Sequence, residues 1–207
     1  MSHELPERKL SYKEIDRVSK YIGSGYQTFF VGLGCPSELL QQEMEEHRHL
    51  AFRSRITKVF LQLSKMRVDS KFKTVAVAML QNGMDPGKLF GITDSKEDFI
   101  YKDERLPVVW LQETLSVHDV QIIARYIDVK TYFNMFLELG FQPEDVDNFD
   151  DQYRSRPTHD KIKALLETFI TETQPPPTRN MILLAMQECN MDTESLITAF
   201  ITTKGTR

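Results

Sequence analysis

The sequence has only two cysteines, Cys35 and Cys189, a single tryptophan, and no long apolar run. Two thiols far apart make neither a disulfide framework nor a Cys-x-x-Cys metal or redox motif, and they fit a reduced, cytoplasmic protein. No stretch approaches the roughly 20 apolar residues that would span a bilayer. The opening segment, MSHELPERKLSYKE, lacks the apolar core of a signal peptide, and the final ITTKGTR carries no lipidation signal, so no membrane insertion is expected. The glycines match neither a phosphate-binding loop nor a dinucleotide fingerprint, and Gly-x-Ser-x-Gly does not occur. The histidines do not gather into a metal-ligand pattern. His47 and His49 stand two apart and point away from each other on a helix, while His3, His118 and His159 are scattered. Cys35 sits at a predicted helix start, where a thiol can be activated, but no cysteine-enzyme motif surrounds it and burial is the commoner fate. No enzyme chemistry, cofactor or metal is expected.

What is present is a folded composition, 41% hydrophobic and 27% charged over 207 residues, and an internal repeat. Tyr26-Gln-Thr-Phe-Phe-Val-Gly-Leu-Gly34 resembles Tyr132-Phe-Asn-Met-Phe-Leu-Glu-Leu-Gly140 at an offset of 106. The same offset pairs Ile56, Val59, Phe60 and Leu63 with Ile162, Leu165, Leu166 and Phe169. Upstream it is 105 (Tyr21-Ile22 with Tyr126-Ile127), and downstream 107 (Ala78-Met79 with Ala185-Met186, Leu89 with Leu196). Two copies at so long a period indicate duplicated domains rather than a solenoid.

Apolar spacing and breakers predict six short helices per copy. In copy one they lie near 11–22, 26–33, 37–47, 50–66 and 72–82, with a short sixth opened by Asp85-Pro86. In copy two they lie near 117–127, 130–139, 143–153, 159–172, 178–189 and 192–201. The 13 phenylalanines and 9 methionines fall at helical spacing and so read as core. No strand-like alternation of useful length occurs. The expected division is a bundle over 1–90, a linker over 91–115, and a second bundle over 116–207. The linker holds Trp110 in a stretch, Pro107 to Leu111, apolar enough to dock on a domain.

Six short helices, a Leu-Gly ending the second, and an acidic third helix resemble the death domain. The nearest local match is Leu139-Gly-Phe-Gln-Pro-Glu-Asp-Val-Asp-Asn-Phe149, with Leu33-Gly-Cys-Pro-Ser-Glu-Leu-Leu40 as the weaker copy. The resemblance covers roughly residues 11–90 and 117–201. Where many death domains carry a tryptophan in the fourth helix, this chain has Phe60 and Leu61, or Leu166 and Phe169, so caspase-recruitment and death-effector assignments stay open for either copy. The resemblance implies an all-α fold of two tandem six-helix antiparallel Greek-key bundles. It also implies a signalling adaptor that binds other death-fold proteins through homotypic contacts, in apoptosis or innate immunity, with self-association as one form of such contact.

Charge supplies the candidate binding residues. Residues 1–90 carry an excess of four basic side chains, while the rest of the chain is acidic and brings the net charge to -4. An excess that small does not make nucleic acid a default partner. Arg53, Arg55, Lys58, Lys65 and Arg67 crowd the fourth helix of copy one and the loop after it. Glu144, Asp145, Asp147, Asp150 and Asp151 crowd the third helix of copy two. Asp147, Asp150 and Asp151 stand at i, i+3 and i+4, where like charges cost helix stability that a cationic partner would relieve. An ordinary solvated face accounts for the same pattern. A second organisation is a compact unit in which the two modules dock in cis as a structural or autoinhibitory element.

Overall fold

The computed structural model describes residues 5–66, 69–93 and 99–204, whose regular secondary structure is helical apart from two isolated bridges, Lys9–Lys71 and Thr114–Thr178. The chain divides into two compact units, Met1–Glu97 and Asp98–Arg207.

The first unit contains α1 (Tyr12–Ser19), α2 (Tyr26–Gly32), α3 (Ser37–Glu46), α4 (Phe52–Lys65) and α5 (Phe72–Gln81), closed by a 3-10 turn over Pro86–Gly91. The second opens on a short α6 (Val108–Leu111). It continues through α7 (Val117–Ile123), α8 (Tyr132–Glu138), α9 (Pro143–Gln152), α10 (Thr158–Glu172), α11 (Arg179–Glu188) and α12 (Thr193–Lys204). The helix starts at 12, 26, 37, 52 and 72 recur at 117, 132, 143, 158 and 179, and the closing elements start at 86 and 193. The offsets are thus 105, then 106 for three helices, then 107, the same drift that the side-chain pattern shows.

Packing repeats as well. In the first unit α4 packs on α1 and α3, and α2 packs on α3 and α5; in the second α10 packs on α7 and α9, and α8 on α9 and α11. Ile22, Phe30, Leu40, Ile56, Val59, Phe60, Leu63, Met79 and Leu89 are buried, and so are their counterparts Ile127, Phe136, Val146, Ile162, Leu165, Leu166, Phe169, Met186 and Leu196. In the first unit the rings of Phe29 and Phe30 close on Phe60 at 6.0 and 5.6 Å between centroids.

Matched helix ends share one geometry. Gly34 (φ +92°) and Gly140 (φ +102°) each follow the second helix of their unit in the left-handed region. The amide after each donates back to a carbonyl one turn inside, Cys35 to Phe30 at 2.9 Å and Phe141 to Phe136 at 3.0 Å. The fifth helices end the same way, at Gly83 and at Asn190. The first helices are shorter than the sequence pattern predicts, because their ends tighten into i→i+3 turns at Tyr21, Ile22, Arg125 and Tyr126. The closing element of the first unit is a 3-10 turn. Asp85 caps it by accepting from the Gly87 amide at 2.8 Å, but Gly87 and Gly91 are poor helix formers, whereas α12 has no glycine or proline.

Residues 91–115, expected as a linker, are divided between the units. On the first side, buried Ile92 presents its carbonyl to Arg17 at 3.1 Å. On the second, Asn180 binds the backbone of 99–101 twice. Its side chain donates to the Phe99 carbonyl at 2.9 Å and accepts from the Tyr101 amide at 2.7 Å. The Tyr101 hydroxyl lies 2.8 Å from that of Thr193. Leu106, Leu111 and Leu115 are buried, and Trp110 stands edge-on to Phe200 at 5.7 Å. From Phe99 onward the segment is therefore built into the second unit. The apolar Pro107–Leu111 stretch drives this, and Asn180 satisfies the amide and carbonyl that burial removes from water.

Both units begin with a reciprocal cap: Ser11 with Glu14, and Ser116 with Asp119. Glu14 is buried and also takes two hydrogen bonds from Arg8, at 2.6 and 2.8 Å. Burial pushes its carboxyl up, but the Arg8 hydrogen bonds, the Ser11 contacts and the Arg8 charge together outweigh burial and hold it below the usual range. A depressed folded-state pKa contributes stability above the unfolded value, about 4.3 for glutamate, and loses it as pH falls through the folded one. Arg8→Ala is expected to cost about 1–2 kcal/mol at pH 7, a modest figure because the guanidinium is half exposed. It should also move acid unfolding of the first unit to higher pH, read by urea titrations at pH 7 and pH 4 and by acid titration of helix content.

Candidate functional site

The basic candidates on α4 do not form one face. Arg53 turns inward to an ion pair with Asp16 of α1, which is fully buried and also accepts from Thr57 at 2.9 Å. Its charge is committed inside the unit, so Arg53 leaves the set of docking residues. Lys58 is half-buried and Lys65 exposed. Arg67 lies outside the described residues. Arg55 points another way, toward α2 and α3. Its guanidinium sits over Phe52 at 5.6 Å, and Phe52 in turn meets Tyr26 edge-on at 5.6 Å.

The acidic candidates of the second unit also divide. Glu144 and Asp145 are exposed in the first turn of α9, where negative charge complements the helix N-terminus. Asp151 is exposed and lies 3.5 Å from Arg154. Asp147 is half-buried. Asp150 is a structural residue rather than part of an open acidic face. Both its oxygens accept from the Tyr132 hydroxyl at 2.6 Å, and Lys161 of α10 lies 3.6 Å away. Burial first, and then the adjoining Asp150 carboxylate, push the Tyr132 hydroxyl well above its usual range. The expected i, i+3, i+4 acidic cluster therefore reduces at its centre to a satisfied tether between α8, α9 and α10.

What remains at the surface is Lys58 and Lys65 along α4 of the first unit, with Arg55 turned toward α2 and α3, and Glu144, Asp145 and Asp151 on α9 of the second. Sequence reasoning misses Asp16, Tyr132, Lys161 and Arg179 as the groups that consume charge internally. Tyr132 and Asp150 are 18 residues apart, and Asp16 and Arg53 are 37 apart, so no local spacing announces either pair.

Cys35 is buried, and burial, followed by nearby Glu43, pushes its thiol up, opposite to what activation requires. His47 sits 3.5 Å from Glu43, and the His47 and His49 rings are 6.4 Å apart. Among the described residues no three histidine, cysteine or acidic side chains gather as metal ligands, and no helix is long and apolar enough to cross a membrane. Comparison with family models, with curated proteins and with solved structures finds no match.

Proposed function

We propose that the chain is a non-catalytic signalling adaptor built from two tandem death-domain-like bundles with Greek-key connections. Each bundle binds other death-fold proteins through charged helical faces. The observation that carries this reading is the duplicated build: the same run of helices in the same register, leaving a basic α4 surface on one unit and an acidic α9 surface on the other. Opposite charges on such faces steer association and set orientation, and two binding modules in one chain add avidity. In this reading the protein raises the local concentration of its partners in cell-death or innate-immune signalling, in the cytoplasm.

The test uses the intact chain against a panel of purified death, caspase-recruitment and death-effector modules, with binding measured at low and high salt. At least one module is expected to bind, more weakly as salt rises. Lys65→Glu or Asp151→Lys should weaken a given partner about tenfold while leaving the fold intact, since both residues are exposed. The proposal fails if no module binds, or if reversals across both faces leave every interaction unchanged. Asp150 and Arg53 are unsuitable for such reversals, because each would report loss of an internal tether.

A further inference from the structure

The two units differ in the set of side chains that joins their second, third and fourth helices. In the second, Tyr132 of α8, Asp150 of α9 and Lys161 of α10 form a closed set: hydroxyl, carboxylate and cation. At the offset of 106 that relates these three helices, their counterparts are Tyr26, Met44 and Arg55. The phenol and the cation are kept, and the carboxylate between them is replaced by a thioether.

A surface pocket of about 560 Å³ occupies this place in the first unit, lined among others by Tyr26, Val31, Leu40, Met44, Glu45 and Arg55. The Arg55 Nε is buried and has no hydrogen-bond partner. The guanidinium makes no ion pair among the described residues, and its one neighbour of note is the Phe52 ring beneath it. The Tyr26 oxygen accepts from Gln27 at 3.3 Å, which leaves its own proton to give. Glu45 at the rim is engaged by Arg48 at 3.0 Å. The pocket thus joins a guanidinium packed on an aromatic ring to a phenol O–H, and where the second unit has a carboxylate it has Met44; its other polar lining groups, Gln27, Ser37 and Gln41, are uncharged. A carboxylate is the group that satisfies such a pair, and the second unit shows a carboxylate doing so.

We infer that this pocket is the receptor for a carboxylate from the first turn of α9, Glu144 or Asp145, of a second copy of the chain. This rests on the adaptor reading above and names the partner for one of its faces. Charge complementarity selects the occupant. Glu144 and Asp145 are exposed on α9, the same acidic helix that supplies Asp150, and Asp145 has no hydrogen bond or ion pair from its side chain among the described residues. The pocket belongs to the basic unit and the carboxylates to the acidic one, so each copy carries both halves of a head-to-tail contact.

Sedimentation equilibrium of the intact chain tests this, with helix content checked by circular dichroism. The wild type is expected to self-associate, and to do so less as salt rises. Arg55→Ala, and separately the double variant Glu144→Lys/Asp145→Lys, should weaken association tenfold or more. Met44→Asp is the decisive variant, because it installs the closed set of the second unit. It should abolish association while raising the unfolding midpoint of the first unit by several degrees. A wild type that stays monomeric at all concentrations overturns the inference, as does association that survives both Arg55→Ala and Met44→Asp. If either result accompanies retained binding to the death-fold panel, this inference falls and the adaptor reading stands.

Discussion

Asp16→Ala is expected to destabilise the first unit by about 3–5 kcal/mol, enough to unfold a small domain of ordinary stability. Asp16 is fully buried, and its two oxygens are taken by the guanidinium of Arg53 and the hydroxyl of Thr57, so that a single carboxylate fixes α1 against α4. Removing it takes from a largely buried arginine the carboxylate that neutralises it, and from a buried threonine hydroxyl one of its acceptors. The cost of keeping that charge buried once this carboxylate is gone, more than the lost attraction itself, makes the effect large. The double variant Asp16→Leu/Arg53→Met removes both charges and should recover most of the loss. Urea unfolding followed by two-dimensional NMR, which resolves the two units separately, checks the result. The prediction fails if the single and double variants lose the same stability.

Arg179→Ala should be of the same order in the second unit, about 3–5 kcal/mol. The Arg179 guanidinium is buried between the rings of Trp110 and Phe200, at 4.8 and 5.2 Å from their centres. It pairs with Glu113 and lies 3.6 Å from Asp119. One side chain therefore holds the entry segment, the first helix and the last helix of the unit together. Truncation removes two cation–π contacts and leaves Asp119 without its cation at a cap that orders α7. Arg179→Lys should recover only part of the loss, since an ammonium cannot span both carboxylates and both rings. Intrinsic fluorescence of the lone tryptophan reads the outcome directly. An unchanged unfolding midpoint would show that residues 99–115 do not depend on this anchor.

The helices were legible because their evidence is local. Apolar residues at i, i+3, i+4 and i+7, as in Ile56 to Leu63, record a buried stripe, and Gly34 and Gly140 record positions that favour a left-handed backbone. The repeat was legible because both copies bury matched positions. The status of the charged residues was not. Arg53 and Arg55 are two residues apart on one helix and look alike in sequence, yet one is consumed by Asp16 and the other faces an open pocket. Asp150 and Asp151 are adjacent, and only the first meets Tyr132. Which charges are spent inside depends on partners brought close by tertiary packing, and local spacing does not encode that. The segment around Trp110 was legible only in part, for a related reason. Its apolar character says that it docks, but the site that receives it, at Asn180 and Arg179, lies some 70 residues further on.

Two bundles of matched build in one polypeptide invite exchange of equivalent segments during folding, and the salt bridges at the two entry arms oppose it. In the first unit the cation stands on the arm, at Arg8, and meets Glu14; in the second it stands on the fifth helix, at Arg179, and meets Glu113 of the arm. Were the leading arm and helix of one half to insert into the other, Arg8 would confront Arg179. In the reciprocal product, Glu113 and Asp119 would sit beside Phe72 with no cation at either place. The inverted polarity therefore matches each arm to the fifth helix of its own half and mismatches it to that of its sibling.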